Sequence, residues 1–250
     1  MPAVSVCVEL VYDDEPFHER IARAAAAGAD AVEFWDWRGK DLERLERAAA
    51  EAEIPIAGCV ADGTLTDPEA TDDAVETIRE SIETAADLGI PTLIATSGPD
   101  QEGLDRATQR GAIVDVLSRV ALDAEAADVT IALEPLNTAV DHPGNYLETS
   151  AEGLEIVDAV DSPNVRLLYD VYHQQITEGD VVRAITENVD RIGHIHVADV
   201  PGRHEPGTGE LDYETVFAAI DEAGYDGYVG CEFSPVGDAD EAIATVLNWR

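Results

Sequence analysis

The chain has 250 residues, a length at which α/β barrels commonly fold as one domain. Fifteen basic residues stand against 53 acidic ones, so the formal net charge is −38, and Lys40 is the only lysine. Because binding to DNA or RNA depends on Lys and Arg side chains that neutralise phosphates, this charge predicts no nucleic-acid partner and no attachment to an anionic membrane.

The acidic residues are spread along helix-like segments, such as residues 72–89, rather than collected in one tail. A salt-rich cell interior explains such a surface most simply. At ~1 M salt the Debye length falls to ~3 Å, so carboxylates that repel one another in dilute buffer become tolerable. The composition therefore predicts a halophilic protein.

The amino terminus does not resemble a secretion signal. The first twenty residues contain several acids and lack the basic start and apolar run of a signal peptide, and no later apolar run reaches the ~18 residues of a membrane span. Cys7, Cys59 and Cys231 are far apart and each lies in an apolar run, which favours reduced thiols over a disulfide framework. We therefore expect a cytoplasmic protein with no membrane partner.

Eight short apolar or β-branched runs follow one another along the chain, with amphipathic helical segments between them. The runs cover residues 4–10, 31–35, 54–60, 92–96, 130–134, 165–170, 192–197 and 228–232. No glycine-rich dinucleotide motif follows the first run, and no linker interrupts the series. Eight β/α units of this kind predict a (β/α)₈ TIM barrel that forms a single domain over residues 1–250.

The last four runs carry metal-ligand residue types at their carboxyl ends, where a TIM barrel holds its catalytic groups. They read TIALEP, RLLYD, GHIHVAD and YVGCEF and place Glu134, Asp170, His196 and Glu232 there. If these side chains point into the barrel, the apolar residues beside them point towards the helices, as strand alternation requires. Three carboxylates and one imidazole predict a divalent metal site that favours Mn²⁺ or Mg²⁺ and leaves Co²⁺ and Zn²⁺ open.

Two residues after these strands are predicted to bind substrate. His173 follows Asp170 by three positions and is expected to hydrogen-bond a substrate oxygen. Arg203 lies in the segment PGRHEPGTGE, where its planar guanidinium can hold a substrate carboxylate or hydroxyl groups. The alternative for Arg203 is an ion pair with Glu205 or Glu210.

Other polar and aromatic residues are assigned supporting roles. Glu205 is expected to shape the site, and Asn137 to orient Glu134. The second run reads VEFWDW, in which Glu33 ends the strand and Trp35 is expected to form an aromatic wall around a polar substrate, with packing as the alternative. His194 is interpreted as a structural residue one layer deeper in the barrel.

At these residues the sequence resembles the hydroxypyruvate isomerase family, within the larger group of xylose isomerase-like TIM barrels. The resemblance covers most of the chain and is most specific over residues 133–147, 169–180, 192–213 and 225–235. It implies that Glu134 and Glu232 are the acid/base pair. It also implies that the metal ligands of the wider group correspond to the quartet of Glu134, Asp170, His196 and Glu232.

The resemblance implies a metal-dependent isomerase that converts hydroxypyruvate to tartronate semialdehyde through an enediolate. A divalent ion can spread the developing negative charge while two glutamates move the proton. Hydroxypyruvate isomerases usually carry glutamine where this chain has His196, and ketose epimerases carry histidine. A ketose 3-epimerase and an inosose isomerase or dehydratase therefore stay open as alternatives.

Two further alternatives belong to other functional classes. An apurinic-site endonuclease uses a related barrel, but six histidines and a charge of −38 oppose it. A non-catalytic barrel that binds a ligand is the other. We expect a small-molecule substrate as partner and leave a homo-oligomer open.

Overall fold

The computed structural model describes residues 1–249, in which eight parallel strands close into a barrel in chain order. The strands are β1 (Ala3–Cys7), β2 (Ala31–Asp36), β3 (Ile56–Ala61), β4 (Thr92–Thr96), β5 (Thr130–Glu134), β6 (Val165–Asp170), β7 (Ile192–Val197) and β8 (Tyr228–Cys231). The helices are α1 (Phe17–Ala26), α2 (Leu42–Glu51), α3 (Thr71–Leu88), α4 (Arg106–Ala127), α5 (Ser150–Val160), α6 (Val171–Thr177), α7 (Val181–Asn188), α8 (Tyr213–Glu222) and α9 (Ala239–Leu247). The predicted TIM barrel is confirmed.

Three strand boundaries differ from the sequence-based expectation. β1 ends at Cys7 rather than at residue 10, because the chain turns there and Val11 N donates to Cys7 O. Val8 and Val11 are buried in the core without being in a strand, so the apolar run reported burial and not extended structure. β3 starts at Ile56, after Pro55, and β8 ends one residue before Glu232.

Alternation along the strands separates an outer core from the barrel interior. In β5, Ile131 and Leu133 belong to the large cluster between the strands and the helices. Ala132 points the other way and packs inside the barrel with Ile94 and Leu168. The barrel is thus filled below its carboxyl-terminal mouth by a small apolar layer, as the period of two in the sequence predicts.

Cys7, Cys59 and Cys231 are all buried and unpaired, as expected for reduced thiols. Burial raises the pKa of the Cys59 thiol to about 12, which keeps it protonated and unreactive at neutral pH. Among residues 1–249 no helix is both long enough and apolar enough to cross a membrane.

The surplus of acidic side chains predicts that the fold depends on salt. Arginines such as Arg38 already serve two carboxylates, with Asp62 at 2.8 Å and Glu80 at 3.1 Å. With 15 basic residues for 53 acidic ones, most acids have only screening by salt to offset their mutual repulsion. We expect the far-ultraviolet circular dichroism signal to fall when the protein is dialysed from molar to millimolar potassium chloride. An unchanged spectrum would refute a halophilic adaptation.

Candidate metal centre

The pairing of the last four strands brings the predicted quartet together at the barrel mouth. Asp170 is level with His196 across β6 and β7, and His196 is level with Gly230 across β7 and β8. Glu134 is the last residue of β5, and Glu232 follows the last residue of β8. All four side chains are buried, with exposed fractions of 6 % or less.

His196 lies at the centre of this quartet. Its Nδ1 atom is 3.3 Å from Glu232 Oε2, 3.7 Å from Glu134 Oε1 and 4.0 Å from Asp170 Oδ2. One ligand-type atom from each of the four residues lies within 4.8 Å of all the others. Such separations suit donor atoms that surround a single ion rather than atoms that bond only to one another.

The carboxylate of Asp170 is held in position by the start of α6. Asp170 is the N-cap of this helix, and its Oδ1 accepts hydrogen bonds from Tyr172 N at 2.7 Å and His173 N at 3.2 Å. An N-cap aspartate satisfies backbone donors that a helix leaves free. The second oxygen, Oδ2, is thereby turned towards His196 and Arg203.

Both oxygens of Glu232 have polar partners. Trp35 Nε1 donates to Oε1 at 2.8 Å, and Arg203 Nη2 donates to Oε2 at 2.5 Å. Burial opposes ionisation of Glu232, but the charges of His196 and Arg203 outweigh it and hold the pKa of this carboxyl well below its usual range. Glu232 is therefore a fixed anion at neutral pH.

Glu134 differs from Glu232 because one of its oxygens is free. Within residues 1–249, buried Glu134 Oε1 and buried His196 Nδ1 have no hydrogen-bond partner. Unpaired buried polar atoms are costly, and a cation placed between them would satisfy both. The donor set therefore fits a divalent ion, which Glu134, Asp170, His196 and Glu232 would hold.

A cavity of about 210 Å³ opens directly onto the quartet. Its wall combines apolar residues with the predicted polar ones, and Trp35, which is 40 % exposed, forms part of its rim. The lining residues outside the quartet are Trp35, Val60, Ile94, Thr96, Leu136, His142, His173 and Arg203. Drug-sized ligands occupy roughly 300–1,000 Å³, so this cavity suits a smaller molecule.

His173 lines the cavity and is fully buried. Its Nδ1 atom lies 2.6 Å from Asn137 Nδ2, while its Nε2 atom has no hydrogen-bond partner among the described residues. The expectation that Asn137 orients Glu134 was wrong. Asn137 is fully buried behind His173 and bonds to His173 and Asp141, so it holds the histidine ring instead.

The loop after β7 brings Arg203 to the quartet, and the alternative ion pairs predicted for Arg203 do not form. Arg203 Nη2 bonds to Glu232 and lies 3.9 Å from Asp170 Oδ2. Glu205 turns away from the quartet, because its carboxylate accepts a hydrogen bond from Val236 N. Glu205 therefore supports the loop after β8 and is not placed to contact a molecule in the cavity.

Asp199 organises the loop that carries Arg203. This fully buried carboxylate accepts from four backbone N–H groups, which belong to Val200, Gly207, Gly209 and Leu211. A Cβ on Gly209 would lie 2.4 Å from Asp199 Oδ1, so only glycine lets the loop close on the carboxylate.

We expect Asp199→Asn to displace Arg203, because an amide nitrogen would face N–H donors that now have an acceptor. The unfolding free energy should fall by about 1–3 kcal/mol, as for a buried group left unsatisfied. Displacement of Arg203 should also lower kcat/KM by up to about 100-fold. Thermal melting and steady-state kinetics check both effects, with exposed Asp226→Asn as control. Equal values for the two variants would contradict this role.

Two residues of the site region were not recognised from the sequence. Glu33 lies in the middle of β2 rather than at its end, and its carboxylate is buried beneath His196. The available signal was a glutamate between Val32 and Phe34, two apolar residues of one strand. His142 lines the cavity and packs edge-on against His173, with ring centroids 5.3 Å apart. Its position in an irregular loop left no periodic signal.

Comparisons with known proteins agree with the fold and the site. The family model described as xylose isomerase-like TIM barrel matches residues 21–249. A 2-oxo-tetronate isomerase from Cupriavidus necator is 35 % identical over 94 % of each chain. A hydroxypyruvate isomerase from Escherichia coli is 29 % identical over 98 % of each chain. The predicted resemblance to hydroxypyruvate isomerases is confirmed.

A solved structure covers all of this chain. The crystal structure titled AP endonuclease, family 2 from Brucella melitensis superposes with a TM-score of 0.92 at 30 % identity, and each chain is covered completely.

Proposed function

The chain belongs to the xylose isomerase-like TIM barrel family, and on this premise we propose that it is a metal-dependent isomerase of short 2-oxo-3-hydroxy carboxylic acids. The principal conversion is hydroxypyruvate to tartronate semialdehyde, and 2-oxo-tetronate is the second substrate. One observation carries the proposal. Three carboxylates and one imidazole present ligand atoms within 4.8 Å of one another, at a cavity that suits a small molecule.

The quartet would hold Mn²⁺ or Mg²⁺, because oxygen-rich sites favour the harder ions. When bound, such an ion supplies positive charge that stabilises negative charge on the carbonyl and hydroxyl oxygens of the substrate. The remaining chemistry is the removal of a proton from the hydroxyl-bearing carbon and its return to the neighbouring carbon.

The two glutamates differ in their fitness to take this proton. Glu232 accepts hydrogen bonds from Trp35 and Arg203, and such bonds stabilise a carboxylate and weaken it as a base. Glu134 has an oxygen with no hydrogen-bond partner among residues 1–249. Glu134 therefore removes the proton in the first step, and Glu232 is the second acid/base group.

His173 and Arg203 bind the substrate on the side away from the barrel floor. Each contributes a buried nitrogen that lacks a hydrogen-bond partner within the described chain, His173 Nε2 and Arg203 Nε. Burial opposes the charge of Arg203, but the nearby carboxylates, first that of Glu232, outweigh it and raise its pKa. Arg203 thus stays cationic and suits the carboxylate shared by both substrates.

The endonuclease named for the Brucella structure is the alternative that this relative favours. A net charge of −38 argues against it, since a DNA duplex would meet an acidic surface. For the same reason the proposal includes a small molecule as the only class of partner, and the cytoplasm as location.

A panel of substrates tests the proposal in one experiment. The Mg²⁺-loaded protein in molar potassium chloride is incubated with hydroxypyruvate, 2-oxo-tetronate, D-fructose, D-tagatose, inosose and an abasic DNA duplex, and products are resolved by NMR and gel electrophoresis. We expect conversion of the two oxo acids at rates well above those of the ketoses. Faster turnover of a ketose would favour a 3-epimerase, and cleavage of the duplex would favour the endonuclease.

A further inference from the structure

A buried carboxylate lies below the quartet and is not one of its members. Glu33 on β2 is 2 % exposed and sits between two imidazoles of β7. Its Oε1 is 3.0 Å from His196 Nε2, and its Oε2 is 2.9 Å from His194 Nε2. Oε2 also accepts a hydrogen bond from Ser5 Oγ at 2.8 Å. Glu33 thus contacts the metal-ligand histidine on the face opposite the quartet.

The barrel leaves room for this carboxylate at one position only made possible by a glycine. A Cβ on Gly230 of β8 would lie 2.4 Å from Glu33 Oε1 and 2.8 Å from His196 Cδ2. Both contacts are closer than real Cβ atoms approach other atoms, so any side chain at 230 would push Glu33 away from His196. The arrangement of Glu33 and His196 is therefore built into β8 as well as β2 and β7.

The chemistry of the two groups determines which nitrogen of His196 faces the quartet as a ligand. An ionised carboxylate has acceptors only, so the nitrogen that faces Glu33 must carry a proton. That nitrogen is Nε2, which leaves Nδ1 to offer its lone pair. Nδ1 is the atom that lies 3.3 Å from Glu232 Oε2 and 3.7 Å from Glu134 Oε1.

We propose that Glu33 is a positioning residue that fixes the ring and the tautomer of His196, so that Nδ1 points at the divalent ion held by the quartet. The inference rests on the proposed metal-dependent function. Partners of this kind orient ligand histidines, and their loss typically costs roughly 10- to 100-fold in metal affinity. Glu33 itself does not touch the substrate or the ion.

The competing account is a second ion bound by Glu33, His194 and His196, whose ligand-type atoms also cluster. Each oxygen of Glu33 already faces an imidazole nitrogen at hydrogen-bond distance, and Ser5 donates to one of them. This is the pattern of donors and acceptors that bond directly to one another. The two accounts differ in stoichiometry, which is one Mn²⁺ per chain in ours and two in the other.

Titration of chelator-stripped protein with Mn²⁺, followed by the electron paramagnetic resonance signal of the free ion, tests the proposal. We expect one tight site in the wild type and roughly 10- to 100-fold weaker binding in the isosteric Glu33→Gln. Ser5→Ala is the matched control, because it removes a bond to Oε2 and leaves Oε1 facing His196, so its loss of affinity should be smaller. Melting temperatures in the presence of chelator separate any loss of stability from the loss of affinity.

A second measurement needs no variant of Glu33. Long-range proton–nitrogen NMR spectra of histidine-labelled wild type loaded with Mg²⁺ should show His196 with a proton on Nε2. A proton on Nδ1, two tight Mn²⁺ sites, or equal affinities for wild type and Glu33→Gln would each overturn the role of Glu33. If the wild type binds no Mn²⁺ more tightly than Asp170→Asn does, the metal-dependent function itself fails, and the inference fails with it.

Discussion

Glu134→Gln is expected to lower kcat for the oxo acids by at least roughly 10³-fold. General acid/base groups contribute about 10²–10⁴-fold to catalysis, and this substitution also removes the charge of a metal ligand. The two side chains have nearly the same shape, and the oxygen of Glu134 that faces His196 has no hydrogen-bond partner within residues 1–249. The fold should therefore survive the change, and steady-state kinetics in saturating Mg²⁺ measures the loss.

The control for this prediction is Glu214→Gln, which alters an exposed glutamate of α8 in the same way. It should keep wild-type kcat, and both variants should melt close to the wild type in molar salt. If Glu134→Gln retained full activity on every substrate of the panel, Glu134 would not be the base. A barrel that only binds its ligand would then be the better interpretation.

Addition of Mn²⁺ to chelator-stripped protein is expected to raise its melting temperature. Three buried carboxylates with ligand atoms within 4.8 Å repel one another, and a cation among them relieves this repulsion. At a concentration of 100 times Kd, binding stabilises the folded state by about 2.7 kcal/mol. A domain of this size gains about 2–4 °C per kcal/mol, so differential scanning calorimetry should show an increase of several degrees.

The acidic surface makes a control necessary, because Mn²⁺ can associate weakly with many of the 53 carboxylic side chains. Asp170→Asn keeps an N-cap side chain for α6 and removes one ligand charge. The increase in melting temperature should be lost or much reduced in this variant. Equal increases in the two proteins would mean that the ion acts on the surface and not at the quartet.

The placement of the quartet could be predicted from the sequence because a TIM barrel converts spacing along the chain into proximity. Each of Glu134, Asp170, His196 and Glu232 is at or next to the end of a strand, and neighbouring strands are level at the mouth. Alternation then decides which side of the strand faces inward. An error of one residue at the end of β8 did not matter, because Glu232 still reaches the mouth.

The supporting contacts could not be predicted because they depend on side-chain directions across distant segments. Asn137 is three residues from Glu134, yet it bonds to His173, which is 36 residues away along the chain. Glu205 lies two residues from Arg203 but faces the loop after β8. Proximity along an irregular loop carries no period, so only the folded chain shows which groups meet.

Glu33 shows a different limit of sequence reasoning. Its place in an apolar strand was visible, but its partners His194 and His196 are more than 160 residues away along the chain. The open space at Gly230 that admits the carboxylate is a property of a third strand. A buried carboxylate of this kind is identified from the closed barrel and not from any one segment.

Isomerisation in deuterium oxide tests the central account most directly. The Mg²⁺-loaded wild type is incubated with hydroxypyruvate, and the tartronate semialdehyde formed is analysed by NMR and mass spectrometry, with Glu134→Gln as the blank for spontaneous reaction. Removal of the proton by Glu134 predicts enzyme-dependent product that carries deuterium on the carbon that receives the proton. Product that forms at the enzymatic rate and carries only protium at that carbon, or the absence of product above the blank, would contradict it.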